Sequence, residues 1–177
     1  MYNVKDNIVA IATTPGNSAL NIVRCSGPGV LKLYKSLTKT HRQPKPNFAH
    51  LKTLYHKEKL IDQMMITFFR GPKSFTGQDM LEFSLHGGLM VIKNFISIVE
   101  GLSFRQALPG EFSYRAFLAG KIDLLQAEAI NSLINSNNQL DALYSLNNIK
   151  GGLSKTIQEV ALDLENLITY IEHELDF

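Results

Sequence analysis

Residues 109–129, PGEFSYRAFLAGKIDLLQAEA, carry the densest chemistry in the chain. A Pro-Gly turn opens a short amphipathic helix, Gly120 is placed to stop it, and Lys121 stands in the break. Asp123 then caps a second helix, with Gln126 three residues on in a capping-box arrangement. A lysine fixed between two helices is well placed to meet an anion, although it can equally be a solvated residue at a helix end. Two residues upstream invite the same question. Arg24 interrupts the apolar run 20–25, and a buried unpaired guanidinium is costly, so it needs an acidic partner such as Glu82 or Glu111, or an anionic ligand. Glu82 is the only acid in its strand. A carboxylate there can accept parallel hydrogen bonds from an amino-pyrimidine edge such as that of a pterin, or it can be an exposed polar residue on the outer face of a sheet.

Other chemistries find less support. A phosphate-binding P-loop needs GxxxxGK followed by Ser or Thr. Gly120-Lys121 is followed by Ile122, with Arg115 where the first glycine belongs, and Gly152 is followed by Leu153. No GxGxxG is present, so the sequence holds no nucleotide-triphosphate site. Glu82 and His86 share a strand face, but two potential ligands do not make a metal site. Cys25 lacks an orienting carboxylate at recognisable spacing, which points to a buried structural cysteine rather than a nucleophile. No catalytic residue and no metal ligand are assigned.

The elements that must position these groups follow from pattern. Segments 7–13 and 20–26 are apolar, β-branched and bounded by turn residues, as strands are. Pro28 starts a helix that runs to about residue 37. A basic, proline-containing loop follows over 38–47, and segments 48–56 and 60–69 form a hairpin. Segment 79–86 alternates cleanly, with Leu81, Phe83 and Leu85 on one face and Glu82, Ser84 and His86 on the other. Gly87-Gly88 breaks it ahead of a helix striped with Leu89, Ile92, Ile96 and Val99. Segment 104–108 is one more strand. From 122 onward the pattern is helical, with a break at 135–138 and a kink expected at Gly151-Gly152. A lone helical hairpin does not bury two faces, so the seam Val160, Leu164, Leu167, Ile171 and Leu175 calls for partners.

Composition bounds the rest. Of 177 residues, 45% are hydrophobic and 19% charged, a globular balance. The single cysteine excludes a disulfide framework within the chain, and no apolar run approaches the ~20 residues of a membrane span. No secretory or transit pattern opens the sequence, so a cytoplasmic location is expected. A net charge of +2 conceals an asymmetry: residues 1–121 carry 16 Lys/Arg and 7 Asp/Glu, residues 122–177 carry 2 and 9. A basic front half suits anionic ligands or nucleic acid, or simply reflects two differently charged surfaces.

Four stretches together resemble a known family. Segments 8–16 (IVAIATTPG) and 21–27 (NIVRCSG), segment 71–88 (GPKSFTGQDMLEFSLHGG), the block at 109–129 and the closing Glu174-Leu-Asp-Phe are similar, in order, to the N-terminal part of the tRNA-modifying GTPase family MnmE/TrmE. The sequence departs from the family at Asn17–Leu20, where the loop is less glycine-rich, and at Leu85 and Leu108. The resemblance implies an α+β fold: an N-terminal mixed α/β folate-binding and dimerisation domain over 1–120, then the first helices of a helical domain over 121–177. The family's GTPase domain would be inserted after this point, making the chain a piece of a longer protein.

The resemblance also implies a ligand and partners. Matched motif to motif, the family's folate-contacting positions fall on Arg24, Glu82 and Lys121, with 5-formyl- or methylene-tetrahydrofolate as cofactor. GTP, Mg and K would belong to the intact protein only. The implied partners are a second copy forming a homodimer, the flavoprotein MnmG/GidA, and tRNA, whose wobble uridine is modified at carbon 5; no membrane is implied. Two alternatives stay open on the residues alone: a stand-alone folate-dependent aminomethyltransferase-like protein, and a ligand-free dimerisation or RNA-docking module to which the basic loop 39–45 would contribute.

Overall fold

The computed structural model describes residues 3–14 and 18–175 and has an α+β architecture with a six-stranded mixed sheet and six helices among those residues. Positions 15–17 of the first loop and the closing residues 176–177, both used in the family resemblance, lie outside the described residues. The chain divides into two compact units, 1–121 and 122–177.

In the first unit, strands β1 (Ile8–Ile11), β2 (Leu20–Ser26), β3 (Ala49–His56), β4 (Lys59–Phe69), β5 (Met80–His86) and β6 (Arg105–Gln106) lie in the order β3-β4-β5-β2-β1-β6. Pairing is antiparallel except between β1 and β6. Helices α1 (Val30–Thr38) and α2 (Leu89–Glu100) cover one face. Val23, Cys25, Leu81, Phe83, Leu85, Ile66 and Phe68 from the strands meet Leu33, Leu37, Ile92, Phe95 and Val99 there in one continuous core. The strict alternation of β5 explains this: its odd residues are wholly buried, while Glu82 and Ser84 remain partly exposed on the opposite face. Cys25 is buried in this core, and burial pushes its thiol pKa up, which makes it the inert structural cysteine expected.

Gly87 is required by close approach. Its N–H donates to the Ala19 carbonyl at 3.0 Å, and a Cβ there would sit 1.5 Å from the Ser18 carbonyl oxygen. The Gly-Gly after β5 therefore lets the loop ahead of β2 pack onto the start of α2.

Helix α3 (Glu111–Leu118) ends in a Schellman motif. Gly120 adopts a φ of 64°, its N–H donates to the Phe117 carbonyl at 2.9 Å, and the Lys121 N–H donates to the Ala116 carbonyl at 2.9 Å. The helix is anchored by a carboxylate. Glu111, 1% exposed, accepts two hydrogen bonds from the Arg105 guanidinium at 2.7 Å, one from Arg115 at 2.8 Å and one from the Leu108 N–H at 2.9 Å. Arg115 also reaches the carbonyls of Asn3 and Asp6 and the Gln78 side chain at 2.9–3.1 Å, while Arg105 donates to Asp6 at 2.8 Å. One buried anion thus joins the N-terminal segment, β6, the 71–79 loop and α3.

The second unit contains α4 (Leu124–Ile134), α5 (Gln139–Ile149) and α6 (Gly152–Leu175). Asp123 and Gln126 form the expected capping box, with the Gln126 N–H on Asp123 Oδ1 at 2.7 Å and the Asp123 N–H on Gln126 Oε1 at 2.9 Å. Gly151, at a φ of 83°, separates α5 from α6, so the expected kink is a full break. No residue of α6 is buried, and its apolar seam is 47–79% exposed. Among the described residues no helix is long and apolar enough to cross a membrane.

The Glu111 network carries a pH signature. Burial pushes the carboxyl up, but hydrogen bonds from Arg105, Leu108 and Arg115 outweigh it and bring the pKa from 4.5 down to about 2. The stabilisation is therefore complete above pH 4.5 and lost as pH falls toward about 2. Replacing Glu111 by Gln leaves the Arg115 guanidinium buried without its counter-charge. The variant is expected to lose about 3–5 kcal/mol at neutral pH and much of the acid limb of the stability profile. Chemical denaturation across pH 2–7 measures both.

Candidate functional site

Antiparallel pairing of β2 with β5 sets Arg24 directly opposite Glu82. The row continues to Ala10 on β1 and Thr67 on β4, on the sheet face turned away from α1 and α2. Arg24 Nε donates to Glu82 Oε1 at 2.7 Å. The side chains are 40% and 23% exposed, so the guanidinium is neither drowned in solvent nor buried. Of the acidic partners open to Arg24 in sequence, Glu82 is the one it takes; Glu111 belongs to Arg105 and Arg115.

The contact is single. The two terminal nitrogens of Arg24 and Glu82 Oε2 form no hydrogen bond among the described residues. A fork of donors therefore lies beside an acceptor, already oriented by their mutual bond. A pair this exposed contributes roughly 0–1 kcal/mol to stability. Its uncommitted atoms match a ligand edge that presents a carbonyl next to N–H donors.

Lys121 lies at the other end of the chain's first unit. Its backbone closes α3, its side chain is exposed, and it forms no ion pair or side-chain hydrogen bond among the described residues. The structure thus brings Arg24 and Glu82 into contact and leaves Lys121 as a separate free ammonium.

A second pair occupies the end of β5. His86 Nδ1 lies 2.7 Å from Asp62 Oδ1, and the His86 N–H donates to Asp62 Oδ2 at 3.1 Å. Asp62, 12% exposed, also accepts from the Gln63 N–H at 2.7 Å. The β4–β5 ladder runs from Phe69/Met80 to Met65/Ser84, and the Asp62 carboxylate supplies the next acceptor to β5. This pair escaped sequence reading, although Asp62 is the lone acid of an apolar strand, the same signal that singled out Glu82.

A cavity of about 460 Å³ opens between β1 and α2, walled by Val9, Ile11, Leu89, Ile92 and Ile96 with Lys93 at its rim. None of Arg24, Glu82 and Lys121 lines it. It is an apolar cleft where the short β6 leaves the sheet edge, whereas Arg24 and Glu82 lie on the opposite face of the sheet. No cluster of three or more His, Cys, Asp or Glu suited to a metal ion occurs among the described residues.

Comparison with known proteins places these features in context. The family model described as GTP-binding protein TrmE N-terminus matches residues 7–121. The chain is 42% identical over 175 residues to the tRNA modification GTPase MnmE of Aquifex aeolicus, covering 98% of this chain and 39% of that protein. It is 37% identical over 172 residues to the protein of that name from Thermotoga maritima, covering 97% and 38%. Against that of Francisella tularensis subsp. holarctica it is 38% identical over 177 residues, covering 100% and 39%. The chain therefore spans about two fifths of the length of these relatives.

The Asp62 lock has a spectroscopic consequence. An ionised carboxylate only accepts hydrogen bonds, so neutral His86 must carry its proton on Nδ1 and present Nε2 as an acceptor. Imidazole ¹⁵N shifts are expected to report the Nδ1–H tautomer at high pH. Asp62→Asn is expected to move the population toward Nε2–H.

Proposed function

The chain belongs to the TrmE N-terminus family, and on that premise we propose that it is the folate-binding and dimerisation module of a tRNA modification GTPase. The observation that carries the reading is the Arg24–Glu82 pair, half-exposed on an open sheet face with its remaining donors and acceptor uncommitted. The match to relatives runs through the helices of the second unit as well, covering 97–100% of the chain, which favours this family over a stand-alone aminomethyltransferase.

The residues fit a reduced folate. Glu82 Oε2 accepts from the amino-pyrimidine N–H groups, and the free arm of Arg24 donates to the adjacent ring carbonyl. Lys121 is the cation for the anionic glutamate tail. The mutual bond between Arg24 and Glu82 holds both in place before a ligand arrives, which lowers the ordering cost of binding. Since the pair sits on a sheet face rather than in a closed pocket, a second copy of the chain supplies the opposite wall. A bound 5-formyl- or methylene-tetrahydrofolate contributes a one-carbon unit; the residues of this chain bind and orient it.

In the intact protein, a GTPase domain and the flavoprotein MnmG/GidA would act with this module on carbon 5 of the tRNA wobble uridine. GTP with Mg and K would bind outside the present sequence, which holds no P-loop. The chain by itself is expected to give GTP turnover no higher than a buffer blank, and release of phosphate in proportion to protein would contradict this.

Calorimetric titration with 5-formyl-tetrahydrofolate tests the ligand reading. Glu82→Gln removes the charge from the accepting oxygen and is expected to weaken binding roughly 10- to 100-fold. Arg24→Ala is expected to fall in the same range, and Lys121→Ala to lose several-fold, most visibly with polyglutamylated ligand. Affinity unchanged in all three variants overturns the assignment.

A further inference from the structure

We propose that the β3 edge of the first unit is a docking surface for an RNA phosphate backbone. Between Lys35 and Lys59 the chain carries seven Lys/Arg and one acid, Glu58, within a protein whose net charge is only +2. The fold gathers these residues. Lys35 and Lys39 lie on and just after the last turn of α1, which packs against β3. The 39–47 loop carries Arg42 and Lys45 and is fixed at its far end by the Asn47 N–H on the Phe68 carbonyl at 2.8 Å. Lys52 sits on β3 itself, and Lys57 and Lys59 lie at the hairpin tip. Because β3 is the outermost strand, nothing in the sheet lies beyond it.

The decisive feature is the density of cations over a short stretch that holds a single acid. Elsewhere in this unit Arg24, Arg105 and Arg115 are each matched by a carboxylate, while Lys5, Lys32, Arg70, Lys73, Lys93 and Lys121 form no ion pair among the described residues but are scattered along the sequence. Along the β3 edge only Lys39 is matched, by Glu58 at 2.7 Å, and the other six cations form no ion pair among the described residues. Lysines on an edge strand guard against strand-to-strand aggregation. That role accounts for Lys52 but not for cations on a loop, a helix end and a hairpin tip. Uncompensated exposed cations raise the local positive potential and bind polyanions by releasing condensed counterions.

Two features favour a nucleic acid over a lipid surface. Aromatic rings are interleaved with the cations: Phe48 is 53% exposed with Lys45 Nζ 5.4 Å from its ring centre, and Lys39 Nζ lies 4.8 Å above Tyr55. An exposed ring beside a cation, as at Phe48, is a stacking platform for an unpaired base. Only Lys52 lies on β3, and the other cations flank the strand on the 39–47 loop, the end of α1 and the hairpin tip rather than clustering at one point. Eight residues at ~3.3 Å each extend roughly 26 Å, enough for several successive phosphates. The relatives are by name tRNA modification proteins, which selects RNA among nucleic acids. The inference uses none of Arg24, Glu82 and Lys121, so it stands or falls apart from the folate reading.

The test is fluorescence anisotropy of a fluorescein-labelled tRNA transcript with the 177-residue chain over a range of salt concentrations. The exposed cations Arg42, Lys45, Lys57 and Lys59 are changed together to Gln. A charge-matched control changes Lys5, Lys93, Lys150 and Lys155, also exposed, in the same way. Circular dichroism melts verify that both variants are folded. The first variant is expected to bind at least tenfold more weakly than wild type, with the slope of log affinity against log salt reduced by about 3. The control variant is expected to retain most of the affinity. Equal losses in the two variants, no loss in the first, or binding to phosphatidylglycerol vesicles without binding to the transcript would each overturn the proposal.

Discussion

Glu111 is the constraint on which the first unit depends. Its carboxylate lies between two guanidiniums and a backbone N–H, and each of those groups belongs to a different piece of chain. Arg105 ties it to the edge strand β6, and Arg115 extends the connection to the N-terminal carbonyls and to Gln78 of the 71–79 loop. Without the anion, the buried Arg115 guanidinium would lose its counter-charge, whereas Arg105 would keep Asp6 and its contact with solvent. The Pro-Gly turn places Glu111 at the first position of α3, where the helix dipole also favours a negative charge. Position, dipole and counter-ions agree, so α3 has one orientation, and the end of α3 sets where Lys121 leaves the domain.

The sheet register does for Arg24 and Glu82 what the anion does for α3. Antiparallel pairing puts both residues in one row, and alternation puts both on the face that α1 and α2 do not cover. A one-residue slip between β2 and β5 would turn one strand over and send either Val23 or Phe83 to the uncovered face. The core therefore enforces the pair: the apolar residues either side of Arg24 and Glu82 fix the geometry of two polar groups that contribute little to stability themselves.

Much of this was legible from pattern. Alternation in 79–86 and the striped helix after Gly87-Gly88 gave both faces of the sheet, and the 109–129 block gave α3, its stop and the capping box of α4. Strand ends were less legible. Segment 104–108 was expected to be a strand, yet only Arg105 and Gln106 pair, because Pro109 and the turn at Gly110 carry the chain away from β1. The β3–β4 turn has no Asn-Gly signal. Lys57 and Glu58 take left-handed φ values of 46° and 65° because the two flanking strands dictate a twist that only such a turn joins. Side-chain partnerships between distant segments were the least legible. Arg115 reads as a polar residue of an amphipathic helix, and nothing near it in sequence reveals that it reaches Asn3 and Asp6. Asp62 likewise gives no local hint of His86, 24 residues away.

The charged groups of the first unit differ chiefly in exposure, and exposure decides what each can do. At Glu111, wholly shielded, Coulombic attraction is strong and water cannot compete, so the charge serves the fold and is unavailable to any ligand. At the β3 edge, solvent and salt screen every interaction beyond about 10 Å, so single cations are weak and only a polyanion that meets several at once binds appreciably. The Arg24–Glu82 pair lies between these limits. It is shielded enough for its mutual bond to preorganise both groups, and open enough for the free nitrogens and oxygen to exchange water for a ligand edge. A small molecule with a fixed donor–acceptor pattern gains most from such an intermediate site, since it brings too few charges for the outer surface and has no access to the inner one. The proposed division, folate on the open sheet face and RNA along the outer strand, follows from that gradient.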